Sequence, residues 1–204
     1  MSWFWEQFNN KGSWLFKIMM LNLIWIGFTL LGGIIFGLFP STISLFSVIR
    51  KWLRGETDIT IFKYFTATYK DCFVRSNMVG FVLLAVGVFL SLDLYVSQKY
   101  IGNFFVHLVL LFFSFLYILT LLFFFPTFVH YDLKPFSYLK QSFLIGFIRP
   151  IHGLFVVAAF MTIITILFIA PVLILFFAGP MLAFPVMWVG NKVFRSFENT
   201  EQMM

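Results

Sequence analysis

The stretch Leu15–Phe39 reads LFKIMMLNLIWIGFTLLGGIIFGLF and contains a single charged residue, Lys17. An α-helix rises about 1.5 Å per residue, so roughly 20 apolar residues cross the hydrocarbon core of a bilayer. The stretch exceeds that length, which indicates a helix that enters a membrane. The adjacent glycines Gly32 and Gly33 interrupt it and are typical of a turn. We therefore expect a second helix to start directly after them.

The composition of the whole chain agrees with a membrane protein. Of 204 residues, 61% are hydrophobic and 11% are charged, and 32 are phenylalanine. A soluble domain needs a polar exterior, whereas lipid solvates an apolar one. The single cysteine excludes an intramolecular disulfide. No basic leader and no small-residue cleavage site accompany the first apolar run, so we interpret it as a retained helix.

Further apolar runs define the remaining membrane segments. Three are long, namely Val74–Val96, Phe104–Val129 and Gly153–Ala178. Two are shorter, namely Ser41–Ile49 and Pro180–Gly190. Lys11 and Lys17 lie at the start of the first long run, and a basic region that begins with Arg50 and Lys51 follows the first short run. Because cytoplasmic segments are enriched in Lys and Arg, an even number of crossings should separate these two basic regions.

We expect an all-α polytopic membrane helical bundle of about six transmembrane helices arranged as three hairpins. The first hairpin comprises Trp14–Leu31 and Ile34–Ile49, and the third comprises Gly153–Ile169 and Val172–Gly190. Both termini are then cytoplasmic in a multi-pass protein of the cell (plasma) membrane, and only Lys99 of the 14 Lys and Arg residues lies outside. Whether the second and sixth helices cross completely stays open, since re-entrant segments are an alternative.

The chain is a single integral membrane domain, 1–204, in three parts. Residues 1–59 form the first hairpin and its basic loop. Residues 60–134 form an amphipathic helix and the second hairpin, and residues 135–204 form another amphipathic helix, the third hairpin and a short tail.

The dipeptide Phe-Pro occurs three times, and each proline, Pro40, Pro126 and Pro185, falls in the second helix of its hairpin. Proline removes a backbone donor and bends a helix. We expect three kinked second helices, which would surround a vestibule that faces the cytoplasm. The alternative is that prolines recur in membrane helices without such a role.

An internal repeat precedes the second and third hairpins. IFKYFTATYKDCFVRS, from Ile61, aligns without gaps with PFSYLKQSFLIGFIRP, from Pro135. At 100° per residue, each segment carries an aromatic and apolar stripe. We expect two short amphipathic helices on the cytoplasmic face, which lie in the headgroup layer or dock a cytoplasmic partner. The stripe residues are Phe62, Phe65, Tyr69, Phe73, Phe136, Leu139, Phe143 and Phe147.

Residues capable of chemistry are sparse. The chain has no HExxH, no G-x-S-x-G and no phosphate-binding glycine loop, and its three histidines are far apart. We therefore expect no enzyme activity, no metal and no cofactor. The net charge of +6 follows from membrane topology and does not indicate a nucleic-acid partner.

Four polar residues remain as candidate functional groups. Asp93 lies near the outer end of the third helix, where it could pair with His107 or Lys99, or contact an ion or substrate. His130 and Asp132 end the fourth helix. Polar groups at a helix end meet exposed carbonyls and headgroups, which is the simpler interpretation, and a proton-relay pair is the alternative.

Several segments, in this order, resemble the YesL family of bacterial integral membrane proteins. They are LNLIWIGFTLLG, FPSTISLFSVIRKWLRGE, FKYFTATYKDCFVRSNMVGF with DLY, HYDLKPFSYLKQSFLIGFIRP and MWVGNKVFRSFE. The resemblance implies a small helical membrane protein of Gram-positive bacteria, a domain of unknown function whose genes lie beside carbohydrate-uptake and glycan-degradation genes. It implies no catalytic residues.

The function expected from these features is non-enzymatic. The protein would be an accessory or regulatory component of carbohydrate uptake, with the lipid bilayer and the permease subunits of a sugar ABC importer as its partners. It lacks both the EAA-x3-G loop of such permeases and any nucleotide motif. The alternative is a small independent transporter or channel, and a membrane enzyme ranks last. Polar residues available to a pore are Asn22, Thr29, Thr42, Ser44, Asp93, Ser114, Thr120 and Thr127.

Overall fold

The computed structural model describes the backbone of residues 2–201 and the side chains of residues 14–100 and 102–196. Over this part the chain is an all-α bundle, as predicted. Its helices are α1 (Ser2–Leu31), α2 (Ile35–Leu53), α3 (Ile61–Val96), α4 (Phe104–His130), α5 (Pro135–Ile148), α6 (Pro150–Ile169) and α7 (Val172–Glu201). A π-helical turn, Ser97–Ile101, continues α3.

Five of these helices are long and apolar enough to cross a membrane. The apolar segments are Trp14–Leu31, Ile61–Tyr100, Phe104–His130, Pro150–Ile169 and Val172–Ser196. The predicted sixth helix, α7, is therefore long and apolar enough to cross. The predicted second helix, α2, is less apolar than these five, since its 19 residues include three serines, Arg50 and Lys51.

The helix α2 lies in the centre of the bundle, in contact with α1, α3, α4 and α7. Most of its residues are buried, including Ile43, Leu45 and Ile49. Ser41 and Ser44 are also buried, and their hydroxyls donate to the carbonyls of Gly37 and Pro40 in the same helix. Because protein rather than lipid surrounds α2, its mean hydropathy does not need to match that of a lipid-facing helix.

The turn between α1 and α2 lies at the predicted glycines. Ile34 has φ 65° and ψ −65°, and the Ile35 N–H donates to the Gly33 carbonyl at 2.8 Å, which defines a strained γ-turn. The two helices approach very closely beyond it. A Cβ on Gly37 would lie 2.3 Å from the Thr29 carbonyl oxygen, so only glycine fits there.

The first amphipathic segment is not a separate helix, which corrects the prediction. It forms the start of α3, whose 36 residues rise about 54 Å without a break. This part of α3 packs back along α2: the Tyr64 hydroxyl lies 2.8 Å from Ser47 Oγ, and Asn77 donates to the Phe36 carbonyl.

The second amphipathic segment is a separate helix, α5, as predicted. It packs along the end of α4, where the Tyr138 ring stacks on Phe128 with centroids 4.3 Å apart. The chain leaves α5 at Arg149, just before Pro150. Proline disfavours helical geometry in the preceding residue, and the residue of α3 that aligns with Pro150 is Ser76. That difference explains why one aligned segment continues and the other breaks.

The prolines of the three Phe-Pro pairs lie inside α2, α4 and α7, as expected, and α7 contains Pro180 as well. Pro40 has no N–H, so the Phe36 carbonyl one turn earlier loses its helical donor. The amide of Asn77, which is 6% exposed, donates to that carbonyl at 2.9 Å. A side chain of α3 thus compensates for a proline in α2.

A second buried asparagine bonds to the backbone of α7. Asn22 of α1 is fully buried, and its Nδ2 donates to the Leu175 carbonyl at 2.7 Å. Its Oδ1 accepts from the Gly179 N–H at 2.8 Å. In a regular helix Gly179 donates to the Leu175 carbonyl, so the Asn22 amide bonds to both members of one helical pair directly before Pro180.

A basic side chain closes the base of each hairpin. Lys17 of α1 donates to the Thr57 carbonyl after α2 at 3.0 Å. Arg75 of α3 donates to Asp132 after α4 at 3.3 Å. Arg149, just before α6, donates to Ser196 near the end of α7 at 2.8 Å. This repeated contact supports the organisation into three hairpins.

Candidate functional site

A polar cavity of about 320 Å³ lies where α2, α3, α4 and α5 meet. Charged side chains from α2, α3 and the segment after α4 meet at its rim, where Asp71 and Asp132 are exposed and Arg50 is half-buried. Hydroxyls of Ser47 and Thr68 also line it. Its charged and titratable lining residues are Arg50, Asp71, Arg75, His130 and Asp132.

Arg50 connects the end of α2 to the end of α4. Its guanidinium donates to the Val129 carbonyl and lies 3.2 Å from His130 Nδ1 and 3.4 Å from the His130 carbonyl. The last carbonyls of a helix have no partner in their own ladder, and a cation there also complements the helix dipole. The His130 ring packs on Phe194 of α7, with centroids 4.4 Å apart.

Arg75 connects α3 to the segment after α4. It forms ion pairs with Asp71 at 3.1 Å and with Asp132 at 3.3 Å. The Asp132 side chain is 94% exposed, so this pair contributes less than about 1 kcal/mol to stability. His130 and Asp132 therefore bond to different arginines and not to each other, which agrees with a helix end better than with a proton relay.

Tyr138 lines the cavity and forms hydrogen bonds with the loop between α4 and α5. Its hydroxyl accepts from the Leu133 N–H at 3.0 Å and donates to the Tyr131 carbonyl at 3.3 Å. The aligned residue in the first repeat, Tyr64, bonds through its hydroxyl to Ser47 of α2. In both repeats a tyrosine joins the amphipathic segment to the preceding helix or loop.

The cavity supplies guanidinium donors, carboxylate acceptors, hydroxyls and one imidazole within a small volume. Such a set suits hydrogen bonding to a polar ligand or to a polar side chain of a partner. Within the side chains that the structure describes, no group of three His, Cys, Asp or Glu is placed to hold a metal ion. Cys72 lines the cavity but is buried at 3% exposure.

The two predicted docking stripes differ in exposure. Phe65 of the first stripe is fully buried, and the half-buried Tyr69 ring packs on Phe28 of α1 at 5.0 Å. Phe62 remains 53% exposed, with its ring 6.1 Å from that of Phe28. Phe73 is half-buried beside Tyr69. The protein itself therefore covers much of this stripe.

The second stripe remains on the surface. Phe136, Phe143 and Phe147 are 56%, 42% and 57% exposed, and the last two rings stack at 6.0 Å. Leu139 is half-buried and packs beside Tyr138. The outer face of α5 is thus an aromatic surface next to the polar cavity.

Asp93 and His107 lie away from the cavity. Asp93 is near the C-terminal end of α3, and His107 is near the N-terminal end of α4. Asp93 is half-buried and, within the described side chains, bonds to neither His107 nor Lys99. Lys99 instead donates to the Tyr95 hydroxyl at 3.0 Å. Asp93 and His107 therefore do not line the cavity that His130 and Asp132 line.

Arg50, Asp71 and Arg75 were not predicted as site residues. Asp71 and Arg75 are four residues apart in a helical segment, a spacing that permits an ion pair, so this pair was detectable from the sequence. The contact of Arg50 with His130 was not, because it depends on how α2 packs against α4.

The fold defines a polytopic α-helical membrane protein with a central helix and a polar cavity at one end. The chain belongs to the YesL family, and residues 18–94 match the family described as "Protein of unknown function, DUF624". It is 31% identical over 198 residues to "Uncharacterized protein YesL" of Bacillus subtilis (strain 168), covering 95% of this chain and 92% of the relative.

Two other Bacillus subtilis (strain 168) proteins are similar over most of the chain. "Uncharacterized protein YteU" is 33% identical over 175 residues, which cover 84% of this chain and 78% of the relative. "Uncharacterized protein YesV" is 35% identical over 188 residues, which cover 91% and 88%. No solved structure matches the chain.

Proposed function

We propose that the protein is a non-enzymatic component of the cell membrane that assists or regulates carbohydrate uptake by an ABC importer. It would act by contact with the permease subunits, with both termini in the cytoplasm. The observation that carries the contact role is the apolar lining of the cavity between α1, α2, α4, α6 and α7. The link to carbohydrate uptake rests on the gene neighbourhood that the family resemblance implies.

The centre of the bundle favours contact over conduction. Ser44, Ser114 and Thr120, which a pore could use, each donate to a carbonyl four residues earlier in their own helix at 2.8 Å. The cavity in the middle, between α1, α2, α4, α6 and α7, measures about 210 Å³ and has an apolar lining that includes Phe125 and Phe160. An ion or sugar in this cavity would find few polar groups.

The outer face of α5 is the contact surface that we assign to a permease subunit. Phe136, Phe143 and Phe147 are exposed there, and the polar cavity lies on the other side of the same helix. Exposed aromatic clusters are typical centres of protein interfaces. Lipid also accommodates such side chains, so a matched aromatic pair elsewhere is the necessary control.

The distribution of basic residues supports the proposed orientation. Lys17, Arg75 and Arg149 mark the bases of the three hairpins, whereas Lys99 lies at the turn between α3 and α4. An excess of Lys and Arg on one side favours the cytoplasm. The polar cavity and α5 would then face the side on which an importer binds its ATPase.

The experiment is affinity purification of the tagged protein from its own host grown on complex glycans, followed by mass spectrometry. We expect permease subunits in stoichiometric amounts and their loss in the double variant Phe143→Ala/Phe147→Ala. The control is Phe104→Ala/Phe105→Ala, an exposed aromatic pair at the start of α4 with centroids 5.9 Å apart. Absence of any importer component, together with unchanged sugar uptake after gene deletion, would contradict the proposal.

The second candidate is a small independent transporter or channel. The polar cavity of about 320 Å³ favours it, because a transported solute needs a polar binding site. This alternative requires a path from the cavity past α2 to the opposite end of the bundle.

A further inference from the structure

One face of α7 changes in character along the helix. Phe184, Trp188, Lys192 and Arg195 follow one another at spacings of four, four and three, so they share one stripe of the helix surface. Phe184 is 40% exposed and Trp188 is 54% exposed. Lys192 and Arg195 are exposed as well. The face thus passes from an apolar ring to an indole and then to two cations.

A cavity of about 250 Å³ lies at the cationic end of this face, where α7 meets the end of α2 at Leu53. The Lys192 ammonium lies 5.5 Å from the centre of the Trp188 ring. Asn191 adds a side-chain amide to the lining. Among the side chains of residues 14–100 and 102–196, no carboxylate lines this cavity or pairs with either cation.

The order of groups matches the order of groups in a phospholipid. Acyl chains lie against apolar side chains, the ester region lies at the depth that tryptophan prefers, and the phosphate lies where lysine and arginine leave the membrane. Two cations that no carboxylate among the described side chains opposes attract an anionic headgroup. They also repel the ammonium of a zwitterionic headgroup, which favours the anionic class.

We propose that this face of α7 binds one anionic phospholipid. Lys192 and Arg195 hold the phosphate, Trp188 contacts the ester region and an acyl chain lies along Phe184. Because Leu53 forms the opposite wall of the cavity, the bound lipid would contact both α7 and the end of α2.

The test is native mass spectrometry of the purified protein titrated with phosphatidylglycerol or phosphatidylcholine. We expect one tightly retained phosphatidylglycerol and a much weaker phosphatidylcholine signal. In Lys192→Gln/Arg195→Gln the affinity for phosphatidylglycerol should fall about thirtyfold, since each near-surface cation contributes about a factor of five. Trp188→Ala should weaken retention without any change of charge.

The matched control is Lys63→Gln/Lys70→Gln, which removes two exposed cations from α3. Equal losses in the two double variants would show general attraction to basic protein and overturn the proposal. Equal retention of both lipids would overturn it too. So would competition by glycerol phosphate at the same concentration as the lipid, because the site would then take a soluble anion. If the double variant fails to fold, Trp188→Ala decides alone: unchanged retention rejects the site.

Discussion

Two buried asparagines, Asn22 and Asn77, bond to helix backbones beside prolines. Asn77 donates to the Phe36 carbonyl that Pro40 deprives of a donor, and Asn22 bridges Leu175 and Gly179 just before Pro180. Inside a membrane no water satisfies such groups, so each unpaired carbonyl or N–H is costly. These polar side chains therefore stabilise the bundle and need not line a pore.

Asn22→Ala should destabilise the protein, because it removes the buried hydrogen bonds that join α1 to the Leu175 carbonyl and the Gly179 N–H of α7. We expect a loss of about 1 to 2 kcal/mol, in the range of buried side-chain hydrogen bonds in membrane proteins. Thermal unfolding in detergent measures it. The control Thr162→Ala removes an exposed hydroxyl that bonds within its own helix and should have almost no effect; equal losses would contradict the role of Asn22.

Ile34 occupies a backbone conformation that a β-branched residue rarely adopts, with φ 65°. Ile34→Gly should relieve that strain and raise the stability by about 1 kcal/mol, after the greater flexibility of glycine in the unfolded chain is subtracted. The matched change at Ile35, the first residue of α2, should instead lower the stability by about 1 kcal/mol. If the stability of Ile34→Gly does not rise, the turn is not strained.

Sequence reasoning identified the chemistry of these residues but not their contacts. An asparagine in an apolar run is evident, and Asn22 was considered only as a group that could line a pore. Its partner Gly179 is 157 residues away, and no periodicity relates the two positions. Packing between helices decides such contacts, so the sequence alone does not predict them.

Among the helices, the first hairpin has an unusual turn, which is apolar and exposed. Leu31, Ile34 and Phe36 are 82%, 58% and 54% exposed. Phe36 packs on Phe81 of α3, with centroids 5.4 Å apart, and α3 continues to Val96. About 20 Å of α3 therefore extend beyond this contact. Exposure of these apolar side chains to water is unfavourable, so we expect the turn to lie within the hydrocarbon core.

This expectation is testable by cysteine labelling, since the native Cys72 is buried. A membrane-impermeant maleimide should label Gln98→Cys, in the polar turn after α3, in intact cells. Leu31→Cys should react only after denaturation, because its turn does not reach water. Prompt labelling of Leu31→Cys from outside would show that the first hairpin crosses the bilayer completely.

The predicted hairpins follow from local signals that survive in the structure. Paired glycines separate α1 from α2, and Ala170–Pro171 separates α6 from α7. The central position of α2 was not predictable, because hydropathy reports apolarity and does not distinguish lipid from protein as a neighbour. The continuity of α3 was not predicted, because the amphipathic segment from Ile61 and the apolar run Val74–Val96 were assigned to separate helices, whereas one helix contains both.

For the molecule as a whole, the apolar lining of the cavity between α1, α2, α4, α6 and α7 predicts that no solute passes. Liposomes that contain the purified protein should show sugar and ion flux no greater than empty liposomes, and Asp93→Asn should change nothing. A fluorescent-dye assay with a known channel as positive control measures this. Flux that Asp93→Asn abolishes would instead favour the transporter alternative.

The contact of Asn22 with α7 also has a consequence for biosynthesis. The ribosome completes α1 long before it makes Gly179, so the Asn22 amide enters the membrane without its partner. Until α7 inserts, the nascent bundle is incomplete on the face of α1 that α7 later covers. We therefore expect a chain truncated before α7 to leave the Asn22 amide without its α7 partners and exposed to lipid.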